Sequence, residues 1–531
     1  MSMSPHESSS SRPVFYWMCW SAILLLAVLL RIVPIRSGLP YSDYIDEGHV
    51  LHQTIDSFNH RSLDVYWYGL PALPAYSAGA ALFLYGPLYR YFHGHHFQKD
   101  LPNERNFPSS KMNYDFIAPV ELLLAGRTVT ACLSIATMIL AGIIAARLAS
   151  DHAGLLAMLL IAVCPALVTR GSIVIVDTFA AFFALVAIYF CERIQSASEP
   201  IWRNAGFAGL ATGLAFASKY QTAAVGAAVM TSILLLGVDW RSRLRLLFLA
   251  GGGFFLGILV GAPMTFFRPA TVWRDVVANI RFYEQIRSGQ SYFAQAISIF
   301  ELGWPLLLAS CAGVVLMLRQ EKTRIVAIGW VLFGSMLIAP YLGKPFQPFR
   351  SLVPLVPLVC IAAAITFVEF IRWARRGAHL WLRYGVTTIL IGGCVGSLGF
   401  ASFQQVHRRM AHQDSRRQAV DWLRQNMANQ QRVLAIKELS VLPSEWARID
   451  AKITVVPWLE AAALLHSGAF DYLVGGDFDV RSDPWQSYGP AWSHEISSLK
   501  VLAEFGTVAT PTTLNFWRTN DERLFIYKVE P

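Results

Sequence analysis

The stretch Leu122-Leu-Leu-Ala-Gly-Arg-Thr-Val-Thr-Ala-Cys-Leu-Ser-Ile-Ala-Thr-Met-Ile-Leu-Ala-Gly-Ile-Ile-Ala-Ala146 decides the fold class. About 20 apolar residues match the ~30 Å hydrocarbon core of a bilayer, and a helix satisfies its own backbone polar groups there. This stretch therefore reads as a membrane-spanning helix. Ten more read the same way, at 15–33, 154–169, 174–191, 204–218, 221–238, 246–266, 299–318, 324–342, 351–371 and 384–402. With 54% hydrophobic and 15% charged residues, the composition is far more apolar than that of a soluble domain. The expected class is a polytopic α-helical membrane protein with about 11 spans.

Lys and Arg in short connections stay preferentially on the cytoplasmic side. Arg147, Arg193, Arg203, the arginines at 241, 243 and 245, and the basic clusters at 319–324 and 372–383 occupy alternate loops. That puts residues 1–14 in the cytoplasm, residues 15–402 in the plasma (inner) membrane and residues 403–531 outside it. The first outer loop runs from about 34 to 121. Counting residues 70–92 as a further span would move every basic loop outside, so this stretch is expected to be juxtamembrane or re-entrant. The segment 15–33 is long, Trp-rich and without a small-residue cleavage site, unlike a cleaved signal peptide.

The net charge of +9 is not a nucleic-acid footprint. Residues 404–531 hold 14 Lys plus Arg against 15 Asp plus Glu, so the excess lies in the membrane part. All seven cysteines fall in apolar stretches, which argues against a disulfide framework. There is no GxGxxG, no Walker loop and no internal repeat. In the tail, Asp414 is placed to cap a helix through Ala419, Val420, Leu423 and Met427. Strand-like runs follow at 432–436, 452–456, 471–474, 499–503 and 523–529. A small α/β domain is expected, and its acidic turn 475–479 reads as a solvated turn rather than a cation site.

Chemistry is sought at the outer membrane face. Asp46 and Glu47 stand adjacent in Tyr41-Ser-Asp-Tyr-Ile-Asp-Glu-Gly-His-Val50. They suit either a charged helix N-terminus or a general base or metal ligand, and a like-charged neighbour near lipid favours proton abstraction. Asp177 needs a partner such as Arg170, Arg127 or a cation, because an ionisable group in apolar surroundings is costly unpaired. Arg127 opens the second span, Lys219 lies between two spans with almost no loop, and Lys344 and Arg350 stand at the mouth of the tenth. Arg127 fits a pair with a loop carboxylate as well as ligand contact, Lys219 fits snorkelling to the headgroups as well as a site role, and Lys344 with Arg350 resembles a phosphate cradle. The outer segment 267–298 carries Arg268, Arg274, Arg281 and Arg287, against the positive-inside trend, and is read as contacting lipid phosphate.

The order of these pieces resembles the GT-C glycosyltransferases of the protein O-mannosyltransferase and aminoarabinose (lipid A) transferase superfamily. The matching elements are Asp46-Glu47, Ala125-Gly-Arg-Thr-Val-Thr130, Cys164-Pro165 followed by Asp177, Gly209-Leu-Ala-Thr-Gly-Leu-Ala-Phe-Ala-Ser-Lys219 and Pro345-Phe-Gln-Pro-Phe-Arg-Ser-Leu-Val-Pro-Leu-Val-Pro357. The resemblance covers about residues 15–402. It implies a polyprenyl-phosphate sugar as donor, inversion at the anomeric carbon, Asp46 as catalytic acid/base and Asp177 as a second acidic site residue. Lys219 and Arg350 become candidate phosphate contacts. Two departures stand out: only Leu70-Pro-Ala-Leu-Pro-Ala75 replaces the Lys-Pro-Pro-like element of the lipid A transferases, and Asp177 lacks the Asp-x-Asp or Glu-x-Asp of the oligosaccharyltransferase branch. A divalent metal is thus an open possibility.

The expected function is transfer of a sugar from a polyprenyl phosphate to an extracytoplasmic hydroxyl of a glycolipid, polysaccharide or protein. Asp46, Glu47 and Asp177 would be catalytic, and Lys219, Arg350, Lys344 and Arg127 would hold the donor phosphate. Two rivals are a flippase for lipid-linked glycans, which requires ionisable residues at the bilayer midplane, and a silent envelope scaffold.

Overall fold

A computed structural model describes residues 14–531 apart from 42–44, 66, 100–119, 197–199, 286–302, 340–348, 376–379, 412–413, 429, 437–440, 442, 466, 477–498, 506–523 and 530–531. The first helices are α1 (Val14–Ile32), α2 (Ile45–His60), α3 (Leu73–His93), α4 (Val120–Leu148), α5 (Asp151–Ala162), α6 (Pro165–Arg170), α7 (Val176–Gln195) and α8 (Ile201–Ser218). Then come α9 (Gly226–Leu234), α10 (Trp240–Gly261), α11 (Met264–Phe267), α12 (Pro269–Gln285), α13 (Trp304–Arg319), α14 (Glu321–Ile338), α15 (Val356–Ala374) and α16 (Leu380–Ala411). Among the described residues, five helices are long and apolar enough to cross a membrane, in the ranges Val14–Arg36, Val120–Leu148, Trp240–Gly261, Ser351–Ala374 and Tyr384–Asn426. Most of residues 70–92, expected to lie beside or dip into the membrane, belong to α3 (Leu73–His93), which is not one of these five.

The expected span 154–169 is broken in two. Pro165 has no N–H to donate, and Cys164 before it is extended at ψ 117°, so α5 stops at Ala162 and α6 restarts at Pro165. Beyond Ala162 the regular ladder of donors to the last turn of α5 ends, with Ile161 O accepting Cys164 N at 3.4 Å and open to further donors. Arg31, fully buried at the end of α1, supplies them: its guanidinium donates to Ile161 O (3.0 Å), Ala162 O (3.2 Å) and Ser134 Oγ (2.7 Å).

One core of small and branched side chains joins α4, α5, α7, α8, α9, α13, α14 and α15. Within it α8 and α10 run side by side in the same direction. A Cβ on Gly209 would come within 1.9 Å of Ala250 O, and one on Gly213 within 2.1 Å of Phe254 O. Glycine is needed there for backbones to touch, the small-residue packing by which helices associate without a hydrophobic drive between them.

The tail forms α17 (Ser415–Asn426), β1 (Arg432–Ile436), α18 (Pro443–Trp446), β2 (Lys452–Val456), α19 (Trp458–Leu465), β3 (Tyr472–Gly476), β4 (Lys500–Phe505) and β5 (Leu524–Lys528). Asp414 caps α17, accepting from Arg416 N at 2.9 Å. The sheet order is β2-β1-β3-β5-β4, with β1 parallel to β2 and β3, and β5 antiparallel to β3 and β4. Val433 to Ile436, Leu473, Val474 and Ile526 form its own core with Val420 and Leu423 of α17. All five strands fall where short β-rich runs predict them. The acidic turn at 475–479 extends into residues outside those described.

Candidate active site

The site is built on the way the chain leaves α1. A 3₁₀ turn, Val33–Arg36, leads into a strap through Ser37 and Tyr41, and α2 begins at Ile45 with Asp46 and Glu47 in its first turn. Val50, Leu51 and Ile55 pack α2 against Ala75, Ala78 and Leu82 of α3, Leu122 and Leu123 of α4, and Val174. Thr54 Oγ1 donates to Ala75 O (2.9 Å), and Gln53 Nε2 donates to Trp67 O and Leu70 O (both 2.9 Å). Helix α2 is thereby fixed at its middle, and its first turn is held in place from below.

That hold is Glu47 with Arg127. Both are 0% exposed. Arg127 Nε and NH2 donate to the two carboxylate oxygens of Glu47 at 2.8 Å each, and NH1 donates to Ile35 O (2.7 Å) and Ser37 O (2.6 Å). Glu47 Oε1 also accepts the backbone N–H of Val174 at 2.8 Å. A fork-on-fork pair of this kind is among the stronger hydrogen-bonded arrangements in proteins. One guanidinium and one carboxylate so tie the end of α1, the start of α2, α4 and the segment entering α7. Gly126 makes room for it, since a Cβ there would meet Val174 Cγ2 at 2.7 Å.

Asp46, adjacent in sequence, is buried in the same turn. The like-charged neighbour expected beside it is neutralised by Arg127, so Asp46 and Glu47 are not two bare carboxylates. Three residues on, His49 stacks on Trp67 with centroids 5.0 Å apart and planes at 27°.

The second acid lies at the other end of the Val174 link. Asp177 is in the first turn of α7, where the helix N-terminus favours negative charge, and is 0% exposed. Lys219 Nζ, at the C-cap of α8, meets its Oδ1 at 2.5 Å, and Arg170 Nε at the end of α6 lies 3.6 Å from Oδ2. Of the partners proposed from sequence, Arg170 is the one found near Asp177; Arg127 is engaged with Glu47. The cluster Asp177, Lys219 and Arg170 carries one negative and two positive charges, a net +1 with the Lys219 side chain 14% exposed.

Lys344 and the Arg350 side chain lie outside the described residues. Arg268 pairs with Asp64 and Arg274 with Asp275 (3.0 Å), so two of the four arginines read as lipid contacts are ion-paired within the protein. Arg287 is outside the described residues. Asp64 and Asp275 also hold Tyr68, through its hydroxyl (2.6 Å) and its N–H (3.0 Å) respectively. Burial, then the hydrogen bond to the Asp64 carboxylate, pushes the Tyr68 hydroxyl well above the ordinary tyrosine range. Asp64 and Tyr68 are thus held against Arg268 and Asp275, a contact whose sequence signal was an acid among aromatics, Leu63-Asp-Val-Tyr-Trp-Tyr68.

Among the described residues no three His, Cys, Asp or Glu side chains come together in a way that fits a metal ion.

Residues 121–267 match the family model described as dolichyl-phosphate-mannose-protein mannosyltransferase. No curated protein sequence matches the chain. The fold is similar to ArnT from Cupriavidus metallidurans in the apo state, with a TM-score of 0.53, 10% identity, and 97% of this chain and 98% of that one covered. ArnT bound to undecaprenyl phosphate gives a TM-score of 0.51 at 12% identity over 97% and 98% of the two chains. The apo oligosaccharyltransferase of Archaeoglobus fulgidus gives 0.51 at 11% identity, over 88% of this chain and 70% of that one. The family match is confined to residues 121–267, and the solved structures, at 10–12% identity, show a shared fold.

Proposed function

We propose that the protein is an integral membrane glycosyltransferase that moves a sugar from a polyprenyl phosphate to an extracytoplasmic hydroxyl. The carrying observation is the Glu47 bridge: one carboxylate bonds Arg127 and Val174 N, so the helix bearing Asp46 and the segment leading to Asp177 share one scaffold. A donor that ends in a phosphate fits the net positive cluster around Asp177, and the ArnT structure with undecaprenyl phosphate supports this donor class.

In this reading Asp46 accepts the acceptor's proton as its oxygen attacks the anomeric carbon. The bond from that carbon to the phosphate oxygen breaks, and Lys219 and Arg170 stabilise the charge on the departing phosphate. Attack from the face opposite the leaving group inverts the anomeric centre. Glu47 and Arg127 act by holding Asp46 in place. Arg350 and Lys344, at the mouth of α15, are proposed as further phosphate contacts, with residues 403–531 on the same outer side.

The test uses the purified protein in nanodiscs with a radiolabelled polyprenyl-phosphate sugar and extracted acceptors. Wild type should turn over, and Asp46→Asn should lose about 10²–10⁴-fold of the rate while keeping its fold. Near-normal turnover by Asp46→Asn removes Asp46 from the role. Movement of the lipid without cleavage makes the protein a flippase, and binding alone makes it a scaffold.

A further inference from the structure

We propose that the last membrane helix and the head of the C-terminal domain form a clamp on the two acid-bearing loops, with Arg409 and Arg416 as positioning residues. The inference rests on the reading of Asp46 and Asp177 given above. Helix α16 has 32 residues, or about 48 Å at 1.5 Å per residue, well beyond a ~30 Å hydrocarbon core. Its apolar sequence ends near residue 402, yet the helix continues to Ala411. One side of this extension meets both loops. Ser402 Oγ donates to Val163 O at 2.8 Å, and Gln405 Oε1 accepts from Thr169 Oγ1 at 2.5 Å. One helical turn further, Arg409 donates to Ser172 Oγ, while its own carbonyl accepts Ser37 Oγ at 2.8 Å.

Arg409 is therefore a bridge between the strap that leads to Asp46 and the turn that leads to Asp177. It is 5% exposed, an expensive place for a guanidinium whose only use is solvation. Just beyond, Arg416 at the start of α17 forms a bidentate pair with Asp414 (2.9 and 2.8 Å), and its guanidinium carbon lies over the Tyr41 ring, 3.9 Å from the centroid. Arg417 reaches Leu39 O at 3.4 Å. Tyr41 is fully buried under this contact, five residues before Asp46. The strap is thus held from beneath by Arg127 and from the side by Arg409 and Arg416, and the C-terminal domain is part of the device that sets the position of Asp46.

The clamp is tested by hydrogen exchange and kinetics on the full-length protein in nanodiscs, with Arg409→Ala, Arg416→Ala, their double variant, and the single hydroxyl deletion Ser37→Ala in case the larger changes do not fold. Exchange should accelerate at residues 36–50 in Arg416→Ala, the double variant and Ser37→Ala, which remove side-chain contacts to the strap. At 168–177 it should accelerate with Arg409→Ala and the double variant, while α8 and α10 stay protected. kcat should fall by up to ~10²-fold, the cost expected for a misplacement of about 1 Å, with KM for the donor little changed. Arg409→Lys, which retains a donor for Ser172, should recover most of the loss. Unchanged exchange in the double variant and in Ser37→Ala overturns the clamp. Accelerated exchange with no sugar transfer by the wild type keeps the clamp and removes the transferase reading beneath it.

Discussion

Replacing Glu47 by Ala would leave the Arg127 guanidinium fully buried with its carboxylate partner gone. The variant loses the two 2.8 Å bonds to Arg127 and the 2.8 Å bond from Val174 N, while Arg127 keeps its bonds to Ile35 O and Ser37 O. Ordinary hydrogen bonds between membrane helices average only about 0.6 kcal/mol, so three neutral bonds would amount to about 2 kcal/mol. Removing one partner of a buried ion pair is a larger effect, about 3–5 kcal/mol, because the remaining charge is uncompensated. That corresponds to roughly 10²–10⁴ in the folding equilibrium. Glu47→Gln should be nearly as harmful, since its amide NH2 would face the guanidinium donors. Pairing Glu47→Ala with Arg127→Met removes the stranded charge, so the double variant should be more stable than Arg127-intact Glu47→Ala. Reversible unfolding of the four proteins in the same detergent gives the coupling. A loss within about 1 kcal/mol for Glu47→Ala, or a double variant as unstable as the sum of the two singles, refutes the keystone role of this pair.

Other sites give simpler expectations. Gly213→Leu should prevent stable folding, because a side chain at 2.1 Å from Phe254 O forces α8 away from α10; normal expression and melting would refute the close approach. Tyr68→Phe removes a hydroxyl bonded to the Asp64 carboxylate and should destabilise the first loop by about 1.5–3 kcal/mol, read as faster hydrogen exchange at residues 61–72. In the tail, Arg432 holds the Asp471 carboxyl below the usual carboxylate range, chiefly through their hydrogen bond. A lowered folded-state value contributes stability above the unfolded carboxylate's range and loses it as pH falls through the folded one. The melting difference between wild type and Asp471→Asn should therefore shrink from pH 7 to pH 3, and also with added salt, because the pair is exposed.

Much of the molecule was legible in one dimension because bilayer and sheet impose short, regular periods. A 20-residue apolar run has few alternatives to a helix, and short β-rich runs of four to seven residues marked every strand of the tail sheet. The break at Pro165 was also local in cause, although only the structure showed that Arg31 caps the broken end. The acids themselves stood out because charge is rare in such a chain. Their partners did not: Glu47 and Arg127 are 80 residues apart, Lys219 and Asp177 42, and Ser172 and Arg409 237. Nothing in local composition distinguishes an arginine that binds a ligand from one that neutralises a buried carboxylate, since both look like a lone cation at a span mouth. The amino-acid order alone determined that the chain is a bundle of apolar helices with a small α/β tail. Only tertiary packing decided that Glu47 is locked to Arg127, that Asp177 sits between Lys219 and Arg170, and that the tail grips the strap. The physical reason is that apolar burial follows from each segment's own side chains, whereas a buried charge takes its meaning from whichever partner folding brings within hydrogen-bond reach.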